Sequence, residues 1–117
     1  VKDMAKSVAC NITATSTLIT YVSPLLAQAG QAVFFDDPVV GAKFYGAYGA
    51  TKAAQIALAR SWQAEAAKIG PKVHIMTPAP LPTATRARFH PGESRDDLAS
   101  THSQAADILA ALSASLA

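Results

Sequence analysis

The stretch QAVFFDDPVVGAKFYGAYGATKAAQIALARSWQAEAAKIGPKVHIMT, residues 31–77, decides the fold of this 117-residue chain. It begins with a short apolar, β-prone run at 31–35 and ends with a second such run at 72–77, and both runs predict strands. Between them, the alanine-rich segment 46–69 predicts a long helix, because alanine is the best helix former. A strand-helix-strand unit of this length implies parallel strands joined by a right-handed crossover.

The flanking segments add one helix on each side of this unit. Apolar residues recur at three- and four-residue steps over 3–27, which predicts a helix with its last turn disturbed by Pro24 and its stop at Gly30. Closely spaced prolines follow the second strand and force a loop, and residues 86–100 are predicted to be irregular. A capping box at Thr101 to Gln104 predicts the start of the last helix.

The order helix, strand, helix, strand, loop, helix predicts an α/β fold, and more specifically a partial doubly wound, Rossmann-like fold. The length suits a single domain over residues 1–117. Parallel sheets have several strands and both faces covered, so two strands with these helices make too small a sheet. We therefore expect a piece of a larger domain that lacks the N-terminal nucleotide-binding strands. The start at Val1 rather than at methionine fits that expectation.

Composition narrows the class of protein. Half of the residues are apolar and 15% are charged, which is typical of a folded chain, and a net charge of +2 argues for neither nucleic acid nor a membrane as a partner. The single cysteine, Cys10, excludes an internal disulfide, and no secretory signal or membrane-spanning run is visible, so we predict a cytoplasmic protein. His74, His90 and His102 lack ligand spacing, so no metal site is predicted.

Tyr48 and Lys52 are the sharpest chemical signal. At positions i and i+4 they lie on one face of the predicted helix. An ammonium near a phenol favours the phenolate and lowers its pKa, so this tyrosine could exchange a proton with a carbonyl or alcohol oxygen. The spacing alone is a weak signal, because an exposed helix pair would look the same.

The surrounding residues carry a family resemblance. Residues 44–54 (FYGAYGATKAA), after a strand and a loop, closely resemble the active-site helix of short-chain dehydrogenases/reductases. Residues 11–15 (NITAT) are similar to the preceding helix of that family, and residues 73–79 (VHIMTPA) to its next strand and turn. The likeness continues through 83–93 and covers almost the whole chain in the right order. The chain is thereby identified as resembling the C-terminal half of such a domain.

The resemblance implies a function. The family has a doubly wound dinucleotide fold and transfers hydride between NAD or NADP and a carbonyl or alcohol. Tyr48 would then be the catalytic acid/base, Lys52 would lower its pKa and hold the nicotinamide ribose, and Asn11 would help to position a water of the proton relay. The cofactor contacts that the resemblance implies are Tyr48, Lys52, Pro78, Ala79 and Thr85.

The chain also departs from the family pattern. The family's serine before the tyrosine is absent: Phe35 stands about thirteen residues before Tyr48, and Asp37 takes the serine's place if the loop is two residues shorter. An ionised carboxylate cannot donate a hydrogen bond and would oppose a phenolate, whereas a plain turn at Asp36-Asp37-Pro38 is the alternative. Ala79 stands where the family has glycine.

The glycine-rich phosphate-binding turn is absent from this sequence, so we predict that the chain alone binds NAD(P) weakly and is inactive. An oxidoreductase, as a fragment or a degenerate member of the family, is the favoured interpretation. The alternative is a non-catalytic assembly module, since helices 3–27 and 46–69 would form the family's homodimer or tetramer interface. A free-standing helical interaction module is less favoured, because it would not account for the two predicted strands. The substrate and the choice between NAD and NADP stay open.

Overall fold

The computed structural model describes residues 2–26, 28–38 and 41–116, and it divides into two compact units, Val1–Thr77 and Pro78–Ala117. The mixture of helices with a parallel sheet confirms the predicted α/β class. The single domain over residues 1–117 stays a prediction. Within the described ranges, none of the helices has the length and apolar character that a bilayer crossing requires.

The first unit begins with one continuous helical run. It consists of α1 (Lys2–Ser7), a π-helical segment (Val8–Thr13), α2 (Ala14–Val22) and a short 3₁₀ turn (Ser23–Leu25). The predicted disturbance at Pro24 is confirmed, because the α-helix tightens into the 3₁₀ turn there. The predicted stop at Gly30 is wrong, since the last helical turn already ends at Leu25; the predicted end at Ala27 lies outside the described residues.

The strand-helix-strand unit follows as predicted. Strand β1 (Gln31–Phe35) pairs in parallel with β2 (Lys72–Met76), in a register that joins Val33 to His74. Helix α3 (Gly46–Ala66) connects the strands and ends three residues before the predicted Ile69. Parallel strands require such a crossover, because a tight turn can join only antiparallel neighbours.

The core lies between α3, the sheet and α2. Along one face of α3, Ile56, Ala59, Trp62 and Ala66 are buried, and Val73 of β2 packs in one cluster with Trp62 and Ala66. The partly buried side chains that pack on this cluster are Ile19, Leu26, Ala32 and Phe34. Trp62 therefore packs the helix that carries the candidate site against the sheet.

Gly70 permits the sharp passage from α3 into β2. Its backbone N–H donates to the Ala66 carbonyl at 2.9 Å. A Cβ at position 70 would lie 2.6 Å from the Ala66 Cβ and 2.8 Å from its Cα, closer than real carbon atoms approach. Glycine is thus required here by close contact with the end of the helix.

The second unit contains α4 (Ala84–Phe89), a 3₁₀ turn (Arg95–Asp97) and α5 (Thr101–Leu116). The prediction that 86–100 is irregular is wrong in part, because Thr83 caps α4 by accepting a hydrogen bond from the Arg86 N–H.

Helix α5 begins at Thr101 as predicted, but its cap differs from the predicted capping box. Ser100 is the cap, since its Oγ accepts from the Ser103 N–H at 3.0 Å. The Gln104 side chain accepts from the Ala79 N–H instead of closing a box with Thr101.

Candidate active site

Helix α3 places Tyr48 in its first turn, beside the loop that leaves β1. The Tyr48 hydroxyl donates a hydrogen bond to Asp37 Oδ2 at 3.2 Å. The Tyr45 ring lies close by, with its centroid 6.2 Å from that of Tyr48. Asp37 therefore does more than form a turn, because it contacts the tyrosine where the family serine is expected. The site lies at the carboxyl end of a parallel strand, where α/β sheets bind their ligands.

The electrostatics of Tyr48 differ from the prediction. Burial, the charge of Asp37 and the hydrogen bond to Asp37 together raise the pKa of Tyr48 from 10.0 to about 12, and burial is the largest of these causes. The neighbouring Tyr45 acts in the same direction. The net shift of the Tyr48 pKa is upward, opposite to the predicted lowering, because burial and a contacting carboxylate both disfavour the phenolate, and the role of Lys52 toward Tyr48 stays a prediction.

Lys52 lies one helical turn after Tyr48 and is half-buried. Its Nζ donates to Gln55 Oε1 at 2.7 Å. Burial lowers the pKa of Lys52, and the carboxylates of Asp37 and Asp36 partly oppose that shift. An ammonium has three N–H donors, and within the described part of the chain Lys52 uses one of them.

Two side-chain bridges connect this face of α3 to the first helical run. Gln55 Nε2 donates to Thr15 Oγ1 at 3.1 Å, and Asn11 Nδ2 donates to Thr51 Oγ1 at 3.0 Å. Thr15 is 5% exposed and Thr51 is 3% exposed, so these hydroxyls are buried and need such partners. The bridges hold Lys52 and its helix against the π-helical segment that carries Asn11. Segments of this kind are frequent at functional sites.

Sequence reasoning named three members of this constellation as catalytic, and the structure brings Tyr48, Lys52 and Asn11 onto neighbouring turns of packed helices. It did not find Gln55 or Thr15. The one available signal was the spacing of Lys52 and Gln55, three residues apart on a helix, which allows their side chains to meet.

The predicted cofactor contacts Pro78, Ala79 and Thr85 belong to the second unit. The Ala79 N–H donates to Gln104 Oε1 at 3.0 Å, and Thr85 is exposed on α4. Their cofactor roles stay predictions. Among the described residues, no group of three or more His, Cys, Asp or Glu side chains could hold a metal ion.

The second unit contains its own charged pair. Arg86 donates two hydrogen bonds to Glu93, from Nε at 2.8 Å and from Nη2 at 3.1 Å. The pKa of Glu93 is lowered, and the hydrogen bond from Arg86 is the largest cause of this shift. Bidentate geometry of this kind orders a loop, here the turn at Pro91 and Gly92.

Comparison with protein families assigns the class. A family model described as enoyl-(acyl carrier protein) reductase matches residues 1–110 of the chain. The chain belongs to the short-chain dehydrogenase/reductase family, as residues 44–54 predicted. It is thus a member of an oxidoreductase family that typically uses NAD(P). A search of curated proteins and a search of solved structures each gave no match.

Proposed function

We propose that this chain carries the catalytic part of an NAD(P)-dependent oxidoreductase that interconverts a carbonyl and an alcohol. The observation that carries the proposal is the position of the Tyr48 hydroxyl and the Lys52 ammonium, on one face of α3 at the carboxyl end of β1. The family membership supports the same conclusion. The finer fold assignment belongs to this proposal too: the two strands would be part of a larger doubly wound sheet.

The proton chemistry follows from the residues present. In reduction, the Tyr48 O–H bond breaks and its proton passes to the substrate oxygen; in oxidation, the same atom takes the proton back. The raised pKa of Tyr48, about 12, keeps the phenol protonated at neutral pH, which suits it to the role of acid. The family model's description extends the possible acceptor to an alkene conjugated with a carbonyl, where the same oxygen would gain the proton.

The residues fit the nicotinamide end of a dinucleotide. Lys52 retains two N–H donors after its bond to Gln55, and ribose hydroxyls are suitable acceptors for them. Gln55 and Thr15 hold the lysine in place on a packed helix, so its position is preorganised. When bound, NAD(P) would supply or accept the hydride. Asn11, packed against the same helix, would support the proton relay.

Cofactor titration tests this assignment. We expect the complete gene product to bind NADH or NADPH, and the Lys52→Met variant to bind about 10- to 100-fold more weakly, because one or two hydrogen bonds from a charged donor are lost. Quenching or enhancement of nicotinamide fluorescence measures the dissociation constant. Lys68→Met is the matched control, since Lys68 is exposed beyond the end of α3. Equal binding by the two variants would contradict the proposed role of Lys52.

A second candidate function, assembly with a further copy of the chain, has support of its own. Along one side of α2 and the following turn, Leu18, Tyr21 and Leu25 are 61%, 70% and 81% exposed. Their three- and four-residue spacing makes one apolar stripe. Small exposed side chains follow one face of α3 and would allow close helix approach: Ala50, Ala57, Ser61 and Ala64. We propose that these two surfaces form the contact of a homodimer or a tetramer.

Analytical ultracentrifugation tests this second proposal. We expect the wild-type chain to sediment as a dimer or a tetramer, and a Leu18→Ser/Tyr21→Ser variant to sediment as a monomer, because the apolar contact area is removed. Ile69→Ser should leave the assembly unchanged, since Ile69 is as exposed but lies outside the stripe. A monomeric wild type would refute the assembly function and leave the catalytic proposal intact.

A further inference from the structure

We propose that Asp37 is a positioning residue of the site: its carboxylate holds the Tyr48 hydroxyl in the protonated state until a substrate oxygen takes over the hydrogen bond. This inference rests on the proposed function and adds a residue to it. The contact that carries it joins Tyr48 Oη to Asp37 Oδ2 at 3.2 Å. A carboxylate can only accept here, so the phenol must be the donor and must keep its proton.

The arrangement of charges supports this role. Lys52 donates to Gln55, and within the described residues no ion pair joins it to Asp37 or Asp36. Asp37 interacts with the Lys52 ammonium electrostatically, and its direct hydrogen-bond contact is with Tyr48. The backbone of its neighbour Asp36 is joined to the sheet, since the Asp36 N–H donates to the Met76 carbonyl at 2.8 Å.

Several groups surround the phenol. Asp37, from the loop after β1, and Tyr45, just before α3, both raise the Tyr48 pKa. Lys52, one turn further along α3, interacts electrostatically with the same Asp37 carboxylate. The first helical run, which packs on α3, contributes the Asn11 amide and the Thr15 hydroxyl and carries the charged residues Asp3 and Lys6 in α1. The direct contact with Asp37 adds to the effect of burial on the Tyr48 pKa.

The consequence is a shift in the pH dependence of the proton step. When Tyr48 gives its proton to the substrate oxygen, a tyrosinate is left beside the Asp37 carboxylate, and solvent must return the proton. Loss of the phenol proton is disfavoured, in agreement with a pKa of about 12, so reduction should stay constant up to strongly alkaline pH and fall above the Tyr48 pKa. Oxidation needs the tyrosinate and should rise with pH up to the same point.

The test compares Asp37→Asn with Asp36→Asn in the chain as it exists. Near-ultraviolet absorbance of tyrosinate, taken as the difference between each protein and its Tyr48→Phe counterpart, isolates the ionisation of Tyr48. We expect Asp37→Asn to shift this ionisation to lower pH by about one unit or more, since a contacting charge is removed. Asp36→Asn should shift it by much less, because Asp36 carries a similar charge without the hydrogen bond.

A second readout avoids alkaline unfolding. In protein labelled with ¹³C at the tyrosine Cζ, the Tyr48 signal at neutral pH should move in Asp37→Asn and stay in place in Asp36→Asn. If neither readout distinguishes the two variants, the inference is overturned.

Kinetics separate this inference from the proposed function. In the complete gene product, the alkaline limb of the reduction rate should move with the Tyr48 ionisation in Asp37→Asn. A shifted ionisation in a protein without turnover would overturn the proposed function while the positioning contact stands. Turnover with an unshifted limb would overturn the role of Asp37 and leave the oxidoreductase assignment in place.

Discussion

Tyr48→Phe should reduce turnover of the complete gene product by about 10²- to 10⁴-fold, the usual contribution of a positioned acid or base. The change removes one oxygen atom and with it the only proton that the Tyr48 side chain can give to a substrate. The hydrogen bond to Asp37 is lost as well, but the ring can stay in place beside Tyr45. Cofactor binding should change little, because Lys52 keeps its contact with Gln55. Steady-state rates with NADH or NADPH, combined with the fluorescence titration, measure both quantities.

Tyr45→Phe is the matched control for this experiment. Tyr45 has the same side chain and its ring lies next to that of Tyr48, but it precedes α3, and the hydrogen bond to Asp37 Oδ2 comes from Tyr48. We expect its turnover to stay within a few-fold of the wild type. If Tyr48→Phe keeps full turnover, or if Tyr45→Phe loses as much, the assignment of the proton donor is wrong.

Trp62→Ala should lower the free energy of unfolding by about 3–5 kcal/mol, the range for truncating a buried aromatic side chain. Trp62 is 6% exposed and sits at the centre of the core of the first unit. Its ring meets Phe34 edge-on, with centroids 6.2 Å apart and an angle of 85° between the planes. Truncation would leave a cavity between α3 and the sheet and would remove that aromatic contact. Urea unfolding followed by circular dichroism measures the change.

Phe44→Ala controls for the loss of an aromatic ring as such. Phe44 is 80% exposed and its ring lies under the Lys43 ammonium, so its truncation should cost less than about 1 kcal/mol. Similar losses in the two variants would show that the core is not organised around Trp62. A large loss in Trp62→Ala alone would confirm that packing of α3 on the sheet holds the first unit together.

The strand-helix-strand unit was the most predictable part of the fold. Strand β1 has the predicted limits, and β2 ends one residue before the predicted Thr77. The prediction succeeded because apolar β-branched and aromatic runs, bounded by proline and glycine, leave few alternatives. Helix ends were less predictable. The first run ends at Leu25 rather than near Gly30, because Pro24 already removes a backbone donor there.

Short elements escaped prediction for a different reason. Helix α4 has six residues, which are too few to show an apolar period. Its cap could be recognised only in the structure, where the Thr83 side chain accepts a hydrogen bond from the Arg86 N–H. The π-helical segment Val8–Thr13 has no signature in its residues. It places Asn11 within 3.0 Å of the Thr51 hydroxyl on α3, a contact between residues forty positions apart.

The local sequence by itself determined the α/β class, the family and the pairing of a phenol with an ammonium one helical turn apart. These features depend on interactions between residues that are close along the chain. Helix and strand propensities and the spacing of residues in the sequence reflect such interactions directly. Only the tertiary structure decided the electrostatics of that pair. Asp37 approaches Tyr48 from the end of a strand, while Gln55 accepts a hydrogen bond from Lys52 and donates one to Thr15 on the first helical run. A pKa depends on burial and on charges close in space, and neither is a property of spacing along the chain.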